Sequence, residues 1–156
     1  AAIDDSVNVV LCTCSSIGGS AESSNSLTPV PVIRVDRPMA EKRCHRRKIF
    51  VAATLESTIG PTTELIRDAA IKAGKEVELI EVLCGKAWAC FGVGDQDVYI
   101  DKIATQMRQV ADQGEVIVLA QASMAGAAAL CTDLPKSVLS SPSLGVATAV
   151  AAFRQQ

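Results

Sequence analysis

Cys14 is the residue of this chain whose type and setting point to chemistry on carbon. It lies in the run NVVLCTCSSIGGSAE (8–22), where apolar strand-forming residues give way to small and polar ones. A thiol between a strand end and a helix start meets the helix dipole and free backbone N–H groups, both of which favour the thiolate. A thiolate takes a proton from carbon, and a thiol gives one back. Beside it, the hydroxyls of Ser15 and Ser16 suit a substrate carboxylate, or the enolate left when a proton leaves the neighbouring carbon. The plain alternative makes Cys14 a small buried filler. Cys12, two residues earlier on the same strand, faces the same side but lies deeper and reads as core.

The pattern occurs twice. EVIVLAQASMAGAAA (115–129) aligns with 8–22 without a gap, so that Ser16 falls on Ser123, Gly19 on Gly126 and Cys14 on Gln121. Each copy reads as a buried strand, a small-residue turn and a helix. Such a repeat predicts a pseudo-twofold fold with two matching loops facing one cleft. The second loop offers Gln121, Ala122 and Ser123. An amide exchanges no protons at neutral pH, but Gln121 can hydrogen-bond a carboxylate or amide, or simply satisfy loop backbone groups. A third loop, after the strand IFVAA, offers Thr54, Ser57 and Thr58. In parallel α/β folds ligands bind beyond the carboxyl ends of the strands, where all three loops fall.

The elements that must position these residues alternate along the chain. Strands are expected at 8–13, 29–35, 49–53, 77–82, 116–120 and 137–139. Helices are expected at 15–24, 97–113, 124–131 and 144–153. A further helix is expected to begin near Pro61, capped by Ser57 and Thr58, and to stop at Gly74. Residues 84–94, with three glycines, read as an irregular loop. The alternation predicts an α/β fold of two pseudo-symmetric parallel-sheet lobes with helices on both faces. The first lobe takes 1–35 plus 136–156, and the second takes 36–135.

Composition narrows the function. Of 156 residues, 49% are apolar and only 3% aromatic, which suits parallel strands under helices, and the net charge of −2 is dispersed. Neither a nucleic-acid surface nor a membrane span is indicated. The run KRCHRRK, which holds the sole histidine, His45, reads as a solvated helix face or turn rather than a phosphate site. Gly92 and Gly94 lack the strand-before, helix-after setting of a dinucleotide loop. Six cysteines with one histidine and no C-x-x-C pair supply a zinc site poorly, and the thiols are expected to be reduced in a cytoplasmic protein. A Cys84–Cys90 disulfide is left open by the spacing.

Five segments in order, VNVVLCTCSSIGGSAE, VPVIRVDRPMAEK, IFVAATLESTIGPTTELI, GDQDVYIDKI and VIVLAQASMAG, resemble the aspartate/glutamate/hydantoin racemase superfamily, which includes maleate isomerase and arylmalonate decarboxylase. The resemblance covers nearly the whole chain. It implies an isomerase or racemase that needs neither pyridoxal phosphate nor any other cofactor, and acts beside a carboxylate or amide of an amino acid, hydantoin or small diacid. In the amino-acid racemases two cysteines face each other across the substrate. Cys14 matches the first, Ser15 and Ser16 match carboxylate- or enolate-binding residues, and Thr54 with Ser57 or Thr58 resembles the carboxylate-binding threonine loop.

Two departures stand out. Gln121 occupies the second cysteine position, and Cys131, ten residues on at the far end of a helix, does not replace it. A one-thiol decarboxylase, lyase or hydrolase, or an inactive or ligand-binding relative, is therefore the alternative. Family members also carry βα units before the strand that matches 8–13. Their absence from the first lobe implies a fragment or a short relative, with exposed strand edges that favour a homo-oligomer.

Overall fold

The computed structural model describes residues 6–43 and 46–155, so Cys44 and His45 of the basic run lie outside the described residues. Strand β1 (Val10–Cys12) leads into helix α1 (Ser15–Ser23), and β2 (Val32–Arg34) into α2 (Arg37–Arg43). Next come β3 (Lys48–Ala53), α3 (Glu56–Lys72), β4 (Glu78–Leu83), α4 (Gly85–Gly92) and α5 (Gln96–Val110). The chain closes with β5 (Val116–Leu119), a 3-10 turn over Ala122–Met124, α6 (Ala125–Leu130), β6 (Ser137–Ser140) and α7 (Pro142–Phe153). β1 and β2 form a two-stranded sheet, and a second sheet has the order β4-β3-β5-β6. Every pairing is parallel. The expected fold class, parallel sheets flanked by helices, is what the molecule has.

The central strands explain the apolar runs. Ile49 to Ala53 and Val116 to Leu119 are buried on both faces, as parallel strands under two helical layers must be. Alternate side chains serve opposite layers. Phe50, Ala52, Ile117 and Leu119 pack with Tyr99, Ile103, Met107 and Met124 of α5 and the turn before α6. Ile49, Val51, Val116 and Val118 pack with Met39 of α2 and Ile59, Leu65 and Ile66 of α3. Both strands of the two-stranded sheet contact α1 and α7.

Several expectations change. Of 136–156, expected in the first lobe, β6 pairs with β5 in the four-stranded sheet, and α7 packs on β1 and β2. Helix α3 starts at Glu56, ahead of Pro61, with Leu55 in extended conformation at its cap (φ −123°, ψ 131°) and no side-chain cap bond. Pro61 therefore sits inside the helix and leaves the Ser57 carbonyl without its helical donor. Residues 84–94 form α4 rather than a loop: Gly85 opens it, Gly92 closes it, and Gly94 (φ +81°) turns the chain just beyond. Gly74, at φ +64°, ends α3 as expected. Cys84 and Cys90 are both free thiols, so no disulfide joins them. No described helix is long and apolar enough to cross a membrane.

Candidate active site

Three loops at the carboxyl ends of β1, β3 and β5 carry the residues singled out above. Cys14 is exposed, so it is no buried filler. It stands in extended conformation (φ −107°, ψ 116°) immediately before α1. Cys12 is only half-buried and donates its thiol hydrogen to the Cys14 carbonyl at 3.6 Å. It belongs to neither core cluster.

Ser15 joins two of the loops. Its hydroxyl, buried, donates to the Ala120 carbonyl at 2.8 Å. The residue after Cys14 is thus bonded to the residue before Gln121, and the two repeat-matched positions flank one contact. Ser15 spends its proton on the scaffold, which makes it a positioning group rather than a direct donor to a ligand.

Gln121 joins the second loop to the third. Its Oε1 accepts from the Thr54 backbone N–H at 2.7 Å, the Thr54 hydroxyl at 2.9 Å and the Leu55 N–H at 3.3 Å. The amide oxygen is thus bonded to the loop, and the nitrogen has no acceptor among the described residues. Thr54 is 2% exposed. Ser123 is half-buried, and its hydroxyl pairs with the Tyr99 hydroxyl at 2.9 Å; the same phenol lies 3.5 Å from the Thr54 hydroxyl. Thr54, Gln121, Tyr99 and Ser123 therefore form one connected polar group at the ends of β3 and β5.

The remaining candidates are placed less directly. Thr58 donates its hydroxyl to the Leu55 carbonyl at 2.7 Å, a local turn bond at the start of α3. Ser57 is exposed on the first turn of α3, and Ala122 is half-buried at the start of the 3-10 turn. Ser16 is exposed and lines a hollow of about 290 Å³ shared with Arg34, Arg37, Glu64 and Asp68 between α1 and α3. A larger open groove of about 860 Å³ beside α4 and α5, lined by Leu83, Lys86, Lys102 and Gln106 among others, touches neither Cys14 nor Gln121.

Sequence reading missed two sets of residues. Tyr99 is fully buried, and its hydroxyl bridges the two loops. Its signal was available: it is the only tyrosine, on the buried face of an amphipathic helix, where a phenol needs a partner. The second set is ionic. Arg34 makes a bidentate pair with Asp36 (2.7 and 2.9 Å), both buried, and approaches Glu22 at 3.7 Å. Glu22 also pairs with Arg37, whose Nη2 lies 2.6 Å from Glu22 Oε2. The Glu22 hydrogen bond raises the Arg37 pKa above its ordinary value. Arg37 reaches Asp68 on α3 at 3.5 Å, and the hydrogen bond from Lys72, with help from Arg37, lowers the Asp68 pKa. These pairs fasten β2 and α2 to α1 and α3. Among the described residues no group of three His, Cys, Asp or Glu is gathered to hold a metal.

No protein-family model matches the sequence, and no curated protein matches it. Solved structures do match. Glutamate racemase from Thermus thermophilus, in complex with beta-chloro-D-alanine, superposes with a TM-score of 0.64 at 18% identity, covering 96% of this chain and 57% of that one. Arylmalonate decarboxylase, as a mutant in a sulfate-associated form, gives 0.60 at 14% identity over 96% of this chain and 68% of its own. Allantoin racemase from Pseudomonas fluorescens gives 0.59 at 21% identity over 99% and 65%. The chain spans 57–59% of the length of the glutamate racemases it matches. By its architecture, this chain has the fold that glutamate racemase, allantoin racemase and arylmalonate decarboxylase share.

Proposed function

We propose that this protein is a member of the aspartate/glutamate/hydantoin racemase superfamily and a cofactor-independent isomerase. Its Cys14 moves a proton at the carbon next to a carboxylate or amide carbonyl. The observation that carries this reading is the placement of an exposed thiol at the end of β1, bonded through Ser15 and Ala120 to the loop that bears Gln121. In the proposed step the Cys14 thiolate takes the α-proton and becomes a thiol. The electron pair of the broken C–H bond passes to the carbonyl oxygen as an enolate, and the thiol then returns a proton. Hydrogen-bond donors at the loops stabilise that enolate. The five described cysteines are free, which supports a reducing, cytoplasmic setting.

A second reading is favoured by Gln121 itself. A two-sided exchange needs a proton carrier on each face of the substrate, and an amide carries none. With Cys14 as sole acid, the fitting reaction is a lyase step: a carbon–carbon bond breaks, carbon dioxide leaves, and the enolate takes its proton from the Cys14 thiol on one face.

Incubation in D2O with glutamate, allantoin or an arylmalonate tests both. The isomerase reading expects loss of the α-proton NMR signal without loss of carbon, abolished in Cys14→Ala and largely kept in Cys12→Ala. The lyase reading expects release of carbon dioxide and one enantiomer of the product. Failure of all three compounds to exchange or react would defeat both.

A further inference from the structure

We propose that Gln121 is a specificity-determining residue of the Cys14 cleft. Its carboxamide is locked so that only the NH2 end meets the ligand, and that end selects a ligand oxygen over a hydrogen-bond donor. The inference rests on the reading of this cleft as a carbon-acid site and adds to it the polarity of one contact.

The lock follows from the partners. Thr54 N and Leu55 N are backbone donors and accept nothing, so the amide atom facing them must be the oxygen. Turning the amide over would set N–H against N–H twice and would strip the Thr54 hydroxyl of its acceptor. The orientation is fixed by chemistry and not by a choice between look-alike atoms. The other end is equally defined. Gln121 Nε2 meets no acceptor among the described residues. The one fully buried side-chain polar atom without a partner among them is Thr62 Oγ1, so Nε2, unpartnered, is not sealed in the interior. The residue aligned with Cys14 in the repeat therefore presents two N–H donors and no acceptor.

The Thr54 proton is committed to Gln121 Oε1, so toward Tyr99 this hydroxyl only accepts. Tyr99 is nearer to Ser123 (2.9 Å) than to Thr54 (3.5 Å). The phenol has one proton: given to Ser123 it leaves the Ser123 proton free, and given to Thr54 it lets Ser123 donate to the phenol. The donors of Gln121 Nε2 match a carboxylate or carbonyl oxygen and disfavour an ammonium or amide N–H.

The test uses the full chain, labelled with 15N and with the Gln121 side-chain NH2 assigned by triple resonance. D,L-glutamate, malonate and allantoin are the probes. The expected result is that a probe which binds shifts the Gln121 NH2 signals. Gln121→Glu keeps the acceptor for Thr54 and Leu55 but presents an oxygen to the ligand, and it should bind a carboxylate probe at least about tenfold more weakly. Gln121→Met, which presents neither donor nor acceptor, should also weaken binding, by less. A probe that moves the Cys14 and Ser16 amides, yet leaves the Gln121 NH2 still and binds all three forms equally, overturns the inference and spares the proposed function. Failure of every probe to bind the unaltered protein overturns both.

Discussion

The Ser15 hydroxyl donates to the Ala120 carbonyl at 2.8 Å across 105 residues of chain. It is a direct bond between the two copies of the internal repeat. It sits one residue from Cys14 and one residue from Gln121, so the spacing of the two candidate functional positions depends on it.

Ser15→Ala removes the donor and leaves the buried end of the Ala120 carbonyl unsatisfied. Losing one partner of a buried hydrogen bond costs about 1–3 kcal/mol. Urea unfolding is expected to show a loss in that range. Proton exchange at the substrate should fall further than stability alone explains, because Cys14 loses its reference point. A variant with unchanged stability and unchanged exchange would show that the bond positions nothing.

Two adjacent glycines of α1 should behave oppositely. A Cβ on Gly18 would lie 2.7 Å from Arg34 Nε and 2.8 Å from Arg34 Cζ, whereas one on Gly19 would meet nothing within 4 Å. Gly18→Ala therefore displaces Arg34 from Asp36, and breaking a buried ion pair costs on the order of 3 kcal/mol. Gly19→Ala gains helix propensity of up to about 1 kcal/mol. Thermal melts of the two variants decide it: a Gly18→Ala melt as high as that of Gly19→Ala contradicts the packing described.

Much of the architecture was legible because it is written in local pattern. The runs IFVAA and VIVLA can only be strands buried on both faces, and Gly74 and Gly114 mark helix ends. A Cβ on Gly114 would come within 2.2 Å of the Phe50 ring, which adds a tertiary reason for that glycine. Local pattern misled where two signals competed. Ser57, Thr58 and Pro61 imitate a helix start, yet the buried side chain of Ile59 holds the earlier turn in place. Three glycines imitate a loop at 84–94, yet they lie at or just past the ends of a helix whose Ala87 is buried and whose Trp88 stacks on Phe91 at 5.0 Å. The site was legible by residue type but not by partner. That Gln121 spends its oxygen on Thr54, and Ser15 its proton on Ala120, is set by long-range geometry that no window of sequence encodes.

Tyr99→Phe removes one hydroxyl from the polar group that joins Thr54 and Ser123 and leaves the ring. Phe91, whose centroid lies 5.0 Å from that of Tyr99, still packs on it. The stability change should be about 1 kcal/mol. The rate of α-proton exchange should fall by roughly fivefold or more, which corresponds to about 1 kcal/mol at the transition state. As a positioning residue, Tyr99 should affect kcat more than KM. An equal loss in stability and rate, with KM alone changed, would assign it to the core only.

Alkaline pH should loosen the four-stranded sheet. Burial pushes the Cys84 thiol from its ordinary 9.0 to about 11. The unfolded thiol ionises first, so stability from this group is whole below about 9 and is lost as pH rises through about 11. Burial raises the Cys131 pKa as well, which adds in the same direction. Melting temperature should decline across that window, and Cys84→Ala should flatten the decline. A slope identical in both proteins would clear Cys84 of the effect.

Every strand pair among the described residues runs parallel, and that sets the order in which they can assemble. A parallel pair cannot close through a tight hairpin and needs a long crossover. Ile49 waits for Val116, and Leu119 for Ser140, so on the ribosome the apolar edge of β3 emerges well before the strand that covers it. Until then α3, β4 and α5 are the neighbours at hand from the following chain, and the β5 side of β3 has no strand to pair with. Such a topology folds slowly and spends its early life with sticky surface on show, which makes the nascent chain, rather than the finished protein, the form most in need of a chaperone.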